Sequence, residues 1–295
     1  MPKPNFFIVG FPKCGTTSLQ RYLDVHPNVF MSDWKEPGWF TAGRRRKPKS
    51  FEEYLALFDG ADPSVHAAVG EATTGYIFTP GSLEAVRAFS PDAKIIVMLR
   101  EPVSLVRSLH MYLVSVSEED VLDFNEAWKL QDERAKGKHI PAKCVHDLQL
   151  IYGHVAKQGQ HVKHLYEVFP AEQILVLFLD DFKKDPRGQY LKALEFLGLP
   201  DDGRTDFPVE NKSDLAGGAA RVRGMLKNEG SFLYNLAGKL RIRKLIAHAL
   251  KALLKPFAKK QPVDPVMQAE LKRYFAEDVK LLEQVTGRDL GHWRA

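Results

Sequence analysis

The sequence predicts an α/β fold, with a central parallel sheet flanked by helices and a helical C-terminal part. Short, uninterrupted apolar runs occur within about the first 200 residues, as in parallel sheets that are buried on both faces. The segments between these runs have the length of helices rather than of hairpin turns. The last third of the chain contains no strand-like run. We expect one domain over residues 1–295, with a core at about 5–200 and the helical part at about 219–295.

Five apolar runs are predicted as strands. The clearest is the run at 94–99, and the first, at 6–9, stops at Gly10. The remaining three are at 29–31, 67–70 and 174–178. Apolar continuity without alternation indicates strands that are covered on both faces.

Helices are predicted between and after these strands. Segment 16–25 has leucines four residues apart, at Leu19 and Leu23. Pro102 fits the first turn of a helix that follows the strand at 94–99. The other predicted helices are 83–89, 186–197, which ends at Gly198, and 265–285, which ends at Gly287.

The composition indicates an ordinary globular protein. Of the 295 residues, 44% are hydrophobic and 27% are charged, which excludes disordered, collagen-like and disulfide-rich classes. The apolar runs are too short to cross a bilayer, and the first residues lack the regions of a signal peptide. The two cysteines, Cys14 and Cys144, fit a reducing compartment. We therefore expect a cytoplasmic protein.

Positive charge is concentrated in one segment. The net charge is +5, but residues 221–260 hold eleven Lys and Arg and one acid, Glu229, so the remainder is at −5. A nucleic acid partner is not expected, because such proteins carry their charge more widely. From Ile242 the apolar and basic residues lie on opposite faces of a helix. Either the apolar face packs on the domain, or residues 239–260 contact an anionic membrane surface.

The connection between the first strand and the first helix reads Gly10-Phe-Pro-Lys-Cys-Gly-Thr-Thr-Ser18. Backbone N–H groups converge in such a turn, and the start of the helix adds a positive dipole, so the turn can bind phosphate or sulfate. Gly10 and Gly15 have the spacing of a nucleotide-binding P-loop, but Thr16 occupies the position of its lysine. The loop's own lysine, Lys13, lies inside the turn. These features predict a P-loop-NTPase-like sheet whose loop holds an anion differently from an ATPase.

The string Pro-Lys-Cys-Gly-Thr-Thr-Ser-Leu at 12–19 resembles the 5′-phosphosulfate loop of sulfotransferases that use 3′-phosphoadenosine 5′-phosphosulfate (PAPS). The resemblance implies that Lys13 contacts the oxygen that bridges sulfur and phosphorus. It also implies that the 5′-phosphate is held by Gly15, Thr16, Thr17 and Ser18. Cys14 is included among the nucleotide-binding residues of this loop and stands where the family has a small residue.

A second feature of this family follows the strand at 94–99. Arg100 leaves the carboxyl end of that strand, where ligands of open parallel sheets bind, and its planar guanidinium suits a phosphate. In the family, this Arg is followed eight residues later by a Ser, and here Arg100 is followed by Ser108. The resemblance implies that the two residues bind the 3′-phosphate that distinguishes PAPS from ATP.

Transfer to a hydroxyl needs a base close to the acceptor. The run Trp34-Lys-Glu-Pro-Gly-Trp-Phe40 resembles the element that carries the catalytic glutamate in heparan-sulfate-type and related bacterial sulfotransferases. The resemblance implies that Glu36 is the general base. It also implies that Lys35 orients the acceptor or stabilises charge near the sulfuryl group.

Glu71 is the alternative base. Segment 70–76 resembles a Gly-Glu-Lys-Ser-Pro-x-Tyr element of glycosaminoglycan enzymes, although Ala72 replaces the functional lysine of that element, which argues against heparan-like acceptors. The cytosolic small-molecule branch uses a histidine from a Thr-His pair, and the sequence contains no such pair.

Three further patterns have weaker implications. The resemblance implies that Asn211 and Lys212 belong to a late loop that closes over the nucleotide. The basic run at 44–49 is a solvated loop, a gate over the active site or a contact for an anionic acceptor. His161 and His164 have helical spacing and are interpreted as solvated helix residues rather than as a metal site.

These observations predict a PAPS-dependent sulfotransferase that acts on a hydroxyl of a carbohydrate, a lipid-linked molecule or a secondary metabolite. We expect in-line displacement with 3′-phosphoadenosine 5′-phosphate (PAP) as product. We expect no metal, because a sulfuryl group carries less charge than the γ-phosphoryl group that Mg²⁺ neutralises. The alternatives are an ATP-dependent small-molecule kinase of P-loop type and a nucleotide-binding adaptor without catalysis.

Overall fold

The computed structural model describes residues 2–208 and 264–294. The predictions for Asn211, Lys212 and the basic segment 221–260, with its membrane contact, concern residues outside these ranges. The chain divides into two compact units. The first comprises Met1–Leu105, Gly153–Glu210 and Leu271–Ala295, and the second comprises Val106–Tyr152 and Asn211–Glu270. The single domain at 1–295 stays a prediction.

A five-stranded parallel sheet lies in the first unit. Its strands are β1 Phe6–Ile8, β2 Val29–Met31, β3 Ala68–Ala72, β4 Lys94–Leu99 and β5 Ile174–Phe178. They are ordered β2-β3-β1-β4-β5, and every neighbouring pair is parallel. At the centre, Phe7 pairs with Glu71 on one side and with Ile95 on the other. The prediction of an α/β fold with a central parallel sheet is confirmed, and each predicted strand overlaps one of these five.

Helices connect the strands and follow them. Those of the described residues are α1 Thr16–Asp24, α2 Phe51–Ala56, α3 Ser82–Phe89, α4 Pro102–Ser115, α5 Phe124–Lys129, α6 Gln131–Arg134, α7 Tyr152–Ala156, α8 Gln158–Val168, α9 Leu179–Lys184, α10 Pro186–Leu197, α11 Pro265–Thr286 and α12 Gly291–Arg294. Short 3₁₀ turns lie at Thr74–Ile77, Asp147–Leu150 and Ala171–Gln173. The predicted helices at 16–25, 83–89, 186–197 and 265–285 agree with the structure to within one residue at each end.

Helix α2 is absent from the sequence prediction. It begins because the Ser50 hydroxyl accepts the N–H of Glu53 at 3.2 Å, and two glutamates complement the dipole of its first turn. It buries only Tyr54, so its six residues show no apolar stripe. A helix this short becomes stable through its tertiary contacts rather than through its own pattern.

The core surrounds the sheet. Phe6, Phe7 and Ile8 of β1 are completely buried, and so are the last five residues of β4. A second apolar cluster joins α2 to the β2–β3 side of the sheet. Its members are Tyr54, Phe58, Ala61 and Val69, with Phe30, Trp39, Phe40 and Phe89 packed against them. This cluster brings the aromatic residues of the predicted base element close to β3.

The second unit contains a buried ion pair. The Arg134 guanidinium donates two hydrogen bonds of 2.7 Å to the Glu119 carboxylate, and both side chains are completely buried. The Tyr152 hydroxyl adds a third donor at 2.6 Å. Removing one partner would leave an uncompensated buried charge, so this pair fixes how the segment between α4 and α7 folds.

Among the described helices, none combines the length and the apolar character that a membrane span requires.

Candidate active site

The loop between β1 and α1 lies at the carboxyl edge of the sheet. Any side chain at Gly10 would collide with the backbone of Met98 in β4, so glycine is required where the loop leaves the sheet. Lys13 has φ 65° and Gly15 has φ 94°, which turn the chain sharply before helix α1 begins at Thr16. The backbone hydrogen bonds of α1 start with Ser18, which donates to the carbonyl of Gly15 at 3.0 Å, so the N–H groups of Thr16 and Thr17 precede the helical ladder, and the first turn contains no acidic residue. The predicted anion loop therefore has the backbone geometry of an anion site.

The two predicted phosphate-binding elements meet. Nη1 of Arg100, directly after β4, donates to the backbone carbonyl of Lys13 at 3.0 Å. Burial lowers the pKa of Lys13, and the positive charges of Arg100 and Lys35 lower it further. The side chains of Arg100 and Lys35 thus lie close enough to Lys13 to lower its pKa, and a bound anion would relieve this repulsion.

A buried glutamine holds the backbone of Arg100. The Gln158 amide accepts the N–H of Arg100 at 3.1 Å and donates to its carbonyl at 2.6 Å, so both backbone polar groups are satisfied. Gln158 is completely buried at the start of α8. Asp278 of α11 secures this helix start by accepting the N–H groups of Gly159 at 2.8 Å and Gln160 at 3.0 Å. Helix α11 therefore supports Gln158, the residue that orients Arg100.

We predict that Gln158→Leu weakens PAP binding by roughly tenfold, because Arg100 loses the contacts that fix its backbone. The free energy of unfolding should also fall by about 1–3 kcal/mol for each backbone group left unpaired. Gln160→Leu, with an exposed side chain on the same helix, is the matched control. Calorimetry with PAP and thermal unfolding measure the two effects. An unchanged PAP affinity in Gln158→Leu would show that Arg100 does not depend on this contact.

Glu36 lies in a tight turn that follows β2. We call residues 36–40 the Glu36 turn. The N–H of Glu36 donates to the carbonyl of Ala72 at 3.0 Å, and its φ of 58° is unusual for a residue with a side chain. Its Oε1 lies 3.2 Å from Nζ of Lys35 and accepts the Thr74 hydroxyl at 3.2 Å. Arg44 contacts the same residue twice, at 3.1 Å to the carbonyl and 3.8 Å to Oε2.

The charge state of Glu36 follows from these contacts. Burial alone would raise the pKa of its carboxyl, but the charges of Lys35 and Arg44 lower it. Hydrogen bonds from Lys35 and Thr74 act in the same direction and leave the pKa lowered. The side chain keeps 24% of its surface exposed, so an acceptor can reach it. Glu36 is an ionised, accessible carboxylate at neutral pH, which is the state that a general base requires.

Glu71, the alternative base, has the opposite environment. Its side chain is completely buried in β3 and accepts hydroxyl hydrogen bonds from Tyr54, Thr73 and Tyr76. Burial raises its pKa to about 7, and the three hydrogen bonds and the charge of Arg44 oppose the rise. The structure therefore places Glu36 rather than Glu71 at the surface of the site.

The structure locates the other predicted residues as follows. Cys14 is completely buried, and burial raises the pKa of its thiol to about 12, which fits a packing role. Thr16 and Ser18 are buried in the first turn of α1, and Thr17 is half-buried. Ser108 is half-buried on α4, and its pairing with the 3′-phosphate stays a prediction.

His161 and His164 lie in different environments. His164 is half-buried with 43% of its side chain exposed, and its Nε2 lies 2.9 Å from Oε1 of Glu84, so it keeps contact with solvent as expected. His161 departs from that expectation: it packs on Phe11 with ring centroids 5.8 Å apart, and burial lowers its pKa to about 4. No cluster of three or more metal-ligating side chains occurs in the part of the chain that the structure describes.

Thr74 and Gln158 were not predicted as functional residues of the site, and Arg44 was predicted only as a member of the basic run at 44–49. Arg44 belongs to the basic run, but it points inward with a side chain only 9% exposed, whereas Arg45 and Arg46 are exposed. Gln158 carries no recognisable sequence signal, and Thr74 was included only in the segment at 70–76 that was examined for Glu71. A hydroxyl or an amide acquires its role from the tertiary contact it makes. The position of Arg44, four residues after the Glu36 turn, was the sequence feature that could have indicated its contact with Glu36.

Comparison with known proteins assigns the family. A family model described as "Sulfotransferase domain" matches residues 3–213. The chain belongs to the sulfotransferase family. In the crystal structure of a sulfotransferase from Alicyclobacillus acidocaldarius, the likeness covers 100% of both chains at 28% identity with a TM-score of 0.73. The family resemblance and the P-loop-like α/β fold expected from the sequence are therefore confirmed.

Curated sulfotransferases also match. Carbohydrate sulfotransferase 15 of Mus musculus is 29% identical over 252 residues, which covers 66% of this chain and 44% of that protein. Human heparan sulfate glucosamine 3-O-sulfotransferase 3B1 is 26% identical over 198 residues, covering 66% of this chain and 46% of that protein. The chain thus spans about half the length of these relatives.

Proposed function

We propose that this sulfotransferase transfers a sulfuryl group from PAPS to a hydroxyl of a carbohydrate acceptor and releases PAP. The observation that carries the proposal is the contact of Arg100 with the anion loop at the carbonyl of Lys13, in the same unit as the ionised Glu36 carboxylate that Lys35 holds. A saccharide is favoured as acceptor because relatives named for carbohydrate and heparan sulfate substrates match this chain. A kinase is not favoured, since the family is one of sulfotransferases.

The proposed reaction is an in-line displacement at sulfur. Glu36 removes the proton of the acceptor hydroxyl as its oxygen bonds to sulfur. The bond between sulfur and the bridging oxygen breaks, and its electron pair stays on the 5′-phosphate of PAP. Lys13 stabilises the negative charge that develops on this oxygen, and Lys35 stabilises charge on the sulfuryl group.

Binding of the nucleotide is proposed to use both ends of the site. The N–H groups and hydroxyls of the loop at 15–18 hold the 5′-phosphate, and Arg100 with Ser108 holds the 3′-phosphate. Asn211 and Lys212 are proposed to close over the nucleotide. Cytoplasmic location also stays a proposal.

Radiolabelled PAPS tests this function. We expect transfer of labelled sulfate to a hydroxyl of neutral or uronic-acid-containing oligosaccharides, and we expect the rate to persist in EDTA. Radiolabelled ATP serves as the parallel donor and should give no product. Transfer from ATP alone would indicate the kinase, and binding of PAP without transfer to any acceptor would indicate the adaptor. Complete loss of transfer in EDTA would contradict the metal-free mechanism.

A further inference from the structure

The buried Glu71 carboxylate gathers three hydroxyl donors. Oε1 accepts from the Tyr54 hydroxyl at 2.9 Å and from the Tyr76 hydroxyl at 2.8 Å, and Oε2 accepts from the Thr73 hydroxyl at 2.9 Å. Glu71 has no exposed surface, so it cannot touch an acceptor directly. It lies in β3, where it pairs with Phe7 of the central strand β1.

Two of these hydroxyls continue to the Glu36 turn. The N–H of Gly38 donates to Oγ1 of Thr73 at 3.2 Å, and the N–H of Phe40 makes a longer contact of 3.5 Å to the Tyr76 hydroxyl. A hydroxyl has one proton to donate, and Glu71 accepts it in both cases, so the oxygen lone pairs are left to face the turn. The hydrogen bonds therefore run in one direction, from the amides of the turn to the carboxylate.

The Glu36 turn needs such external support. Glu36 has φ 58° and Gly38 has φ 62°, so two of its five residues lie in the left-handed region, which is unfavourable for a residue with a side chain. A backbone of this kind persists only where the surroundings over-determine it. The surroundings here are β3 and the residues just after it, through the carbonyl of Ala72 and the hydroxyls of Thr73 and Tyr76.

We infer that Glu71 is a positioning residue: through the hydroxyls of Thr73 and Tyr76 it holds the Glu36 turn so that the Glu36 carboxylate faces the acceptor. This role rests on the proposed function of Glu36 as base. It replaces direct proton abstraction by Glu71, because the buried carboxylate reaches the site only through other groups. The ionised form is the one that accepts all three hydroxyls, and assays at mildly alkaline pH keep it ionised.

The test compares two residues that donate to the same carboxylate. Thr73→Val removes a hydroxyl that connects Glu71 to the turn, with little change of shape. Tyr54→Phe removes a hydroxyl that donates to Glu71 and, among the described residues, makes no hydrogen bond to the turn, while its ring keeps packing on Trp39 and Phe40. We expect Thr73→Val to lower kcat by about tenfold or more, with the Kd for PAP within about twofold of wild type. Tyr54→Phe should keep near-wild-type kcat, and Thr73→Ser should restore most of it.

Amide hydrogen exchange gives a readout that does not depend on turnover. Thr73→Val should speed exchange at the N–H of Gly38, whereas Tyr54→Phe should leave that rate unchanged. An unchanged kcat in Thr73→Val, unchanged exchange at the N–H of Gly38 in that variant, or equal losses of kcat in both variants would overturn the positioning role. Glu36→Gln in the same assays separates the two claims. If Glu36→Gln keeps wild-type turnover, the assignment of Glu36 as base fails. If Thr73→Val keeps wild-type turnover while Glu36→Gln loses it, the positioning role of Glu71 fails and the base assignment stands.

Discussion

Glu36→Gln is expected to lower kcat by about 10²- to 10⁴-fold, the range contributed by a positioned general base. The amide is nearly isosteric with the carboxylate but cannot accept the hydroxyl proton. Because Lys35 and Arg44 hold the pKa of Glu36 below its ordinary value, the wild-type carboxyl is ionised throughout the neutral range. The loss in the variant should therefore be similar at every neutral pH.

The binding of PAP separates a chemical defect from a structural one. Glu36 makes its contacts with Lys35, Arg44, Thr74 and the carbonyl of Ala72 rather than with the loop at 10–18. PAP affinity in Glu36→Gln should consequently stay close to the wild-type value. Glu172→Gln, an exposed carboxyl after α8, is the matched control and should keep full activity. Near-wild-type turnover in Glu36→Gln would show that Glu36 is not the base.

Arg100→Met is expected to weaken PAP binding by roughly 10- to 150-fold, the range for losing hydrogen bonds to a charged group. The unbranched methionine keeps the apolar stem of the side chain and removes the guanidinium. Adenosine 5′-monophosphate lacks the 3′-phosphate, so its affinity should change much less. The ratio of the two dissociation constants, measured by calorimetry, isolates the contribution of the 3′-phosphate.

This ratio matters because Arg100 has a second contact. Its guanidinium also donates to the carbonyl of Lys13, so the substitution can disturb the loop at 10–18. A loop defect would weaken both nucleotides equally, whereas loss of the 3′-phosphate contact weakens PAP alone. Arg273→Met, an exposed arginine on α11, controls for the general effect of removing a positive charge. Equal losses for both nucleotides in Arg100→Met would contradict a dedicated 3′-phosphate contact.

Strands were the most predictable part of the fold. Strands such as the one at 94–99 are buried on both faces, so nearly every position in them is apolar and the sequence shows an uninterrupted apolar run. The loop at 10–18 and Arg100 were found because parallel strands place their carboxyl ends at one edge, where loop chemistry is concentrated. Short elements such as α2 were missed, since six residues bury one side chain and leave no periodic pattern.

The roles of the supporting residues of the site could not be predicted from the sequence, because they depend on tertiary contacts. Gln158 lies 58 positions from Arg100 in the chain, and only the packing of α8 brings its amide to that backbone. Glu71 resembled a second candidate base because its neighbourhood matched a family element, but burial in β3 directs its carboxylate to three hydroxyls. The difference between Glu36 and Glu71 is one of solvent exposure and hydrogen-bond direction, and both are tertiary properties.

A crystal structure of the full chain with PAP bound is the most direct measurement. We expect the 5′-phosphate at the loop of residues 10–18, the 3′-phosphate within hydrogen-bond distance of Arg100, and the Glu36 carboxylate facing the side from which an acceptor hydroxyl attacks. PAP lying elsewhere, or the Arg100 guanidinium turned away from the 3′-phosphate, would contradict the proposal that the two elements hold opposite ends of one nucleotide.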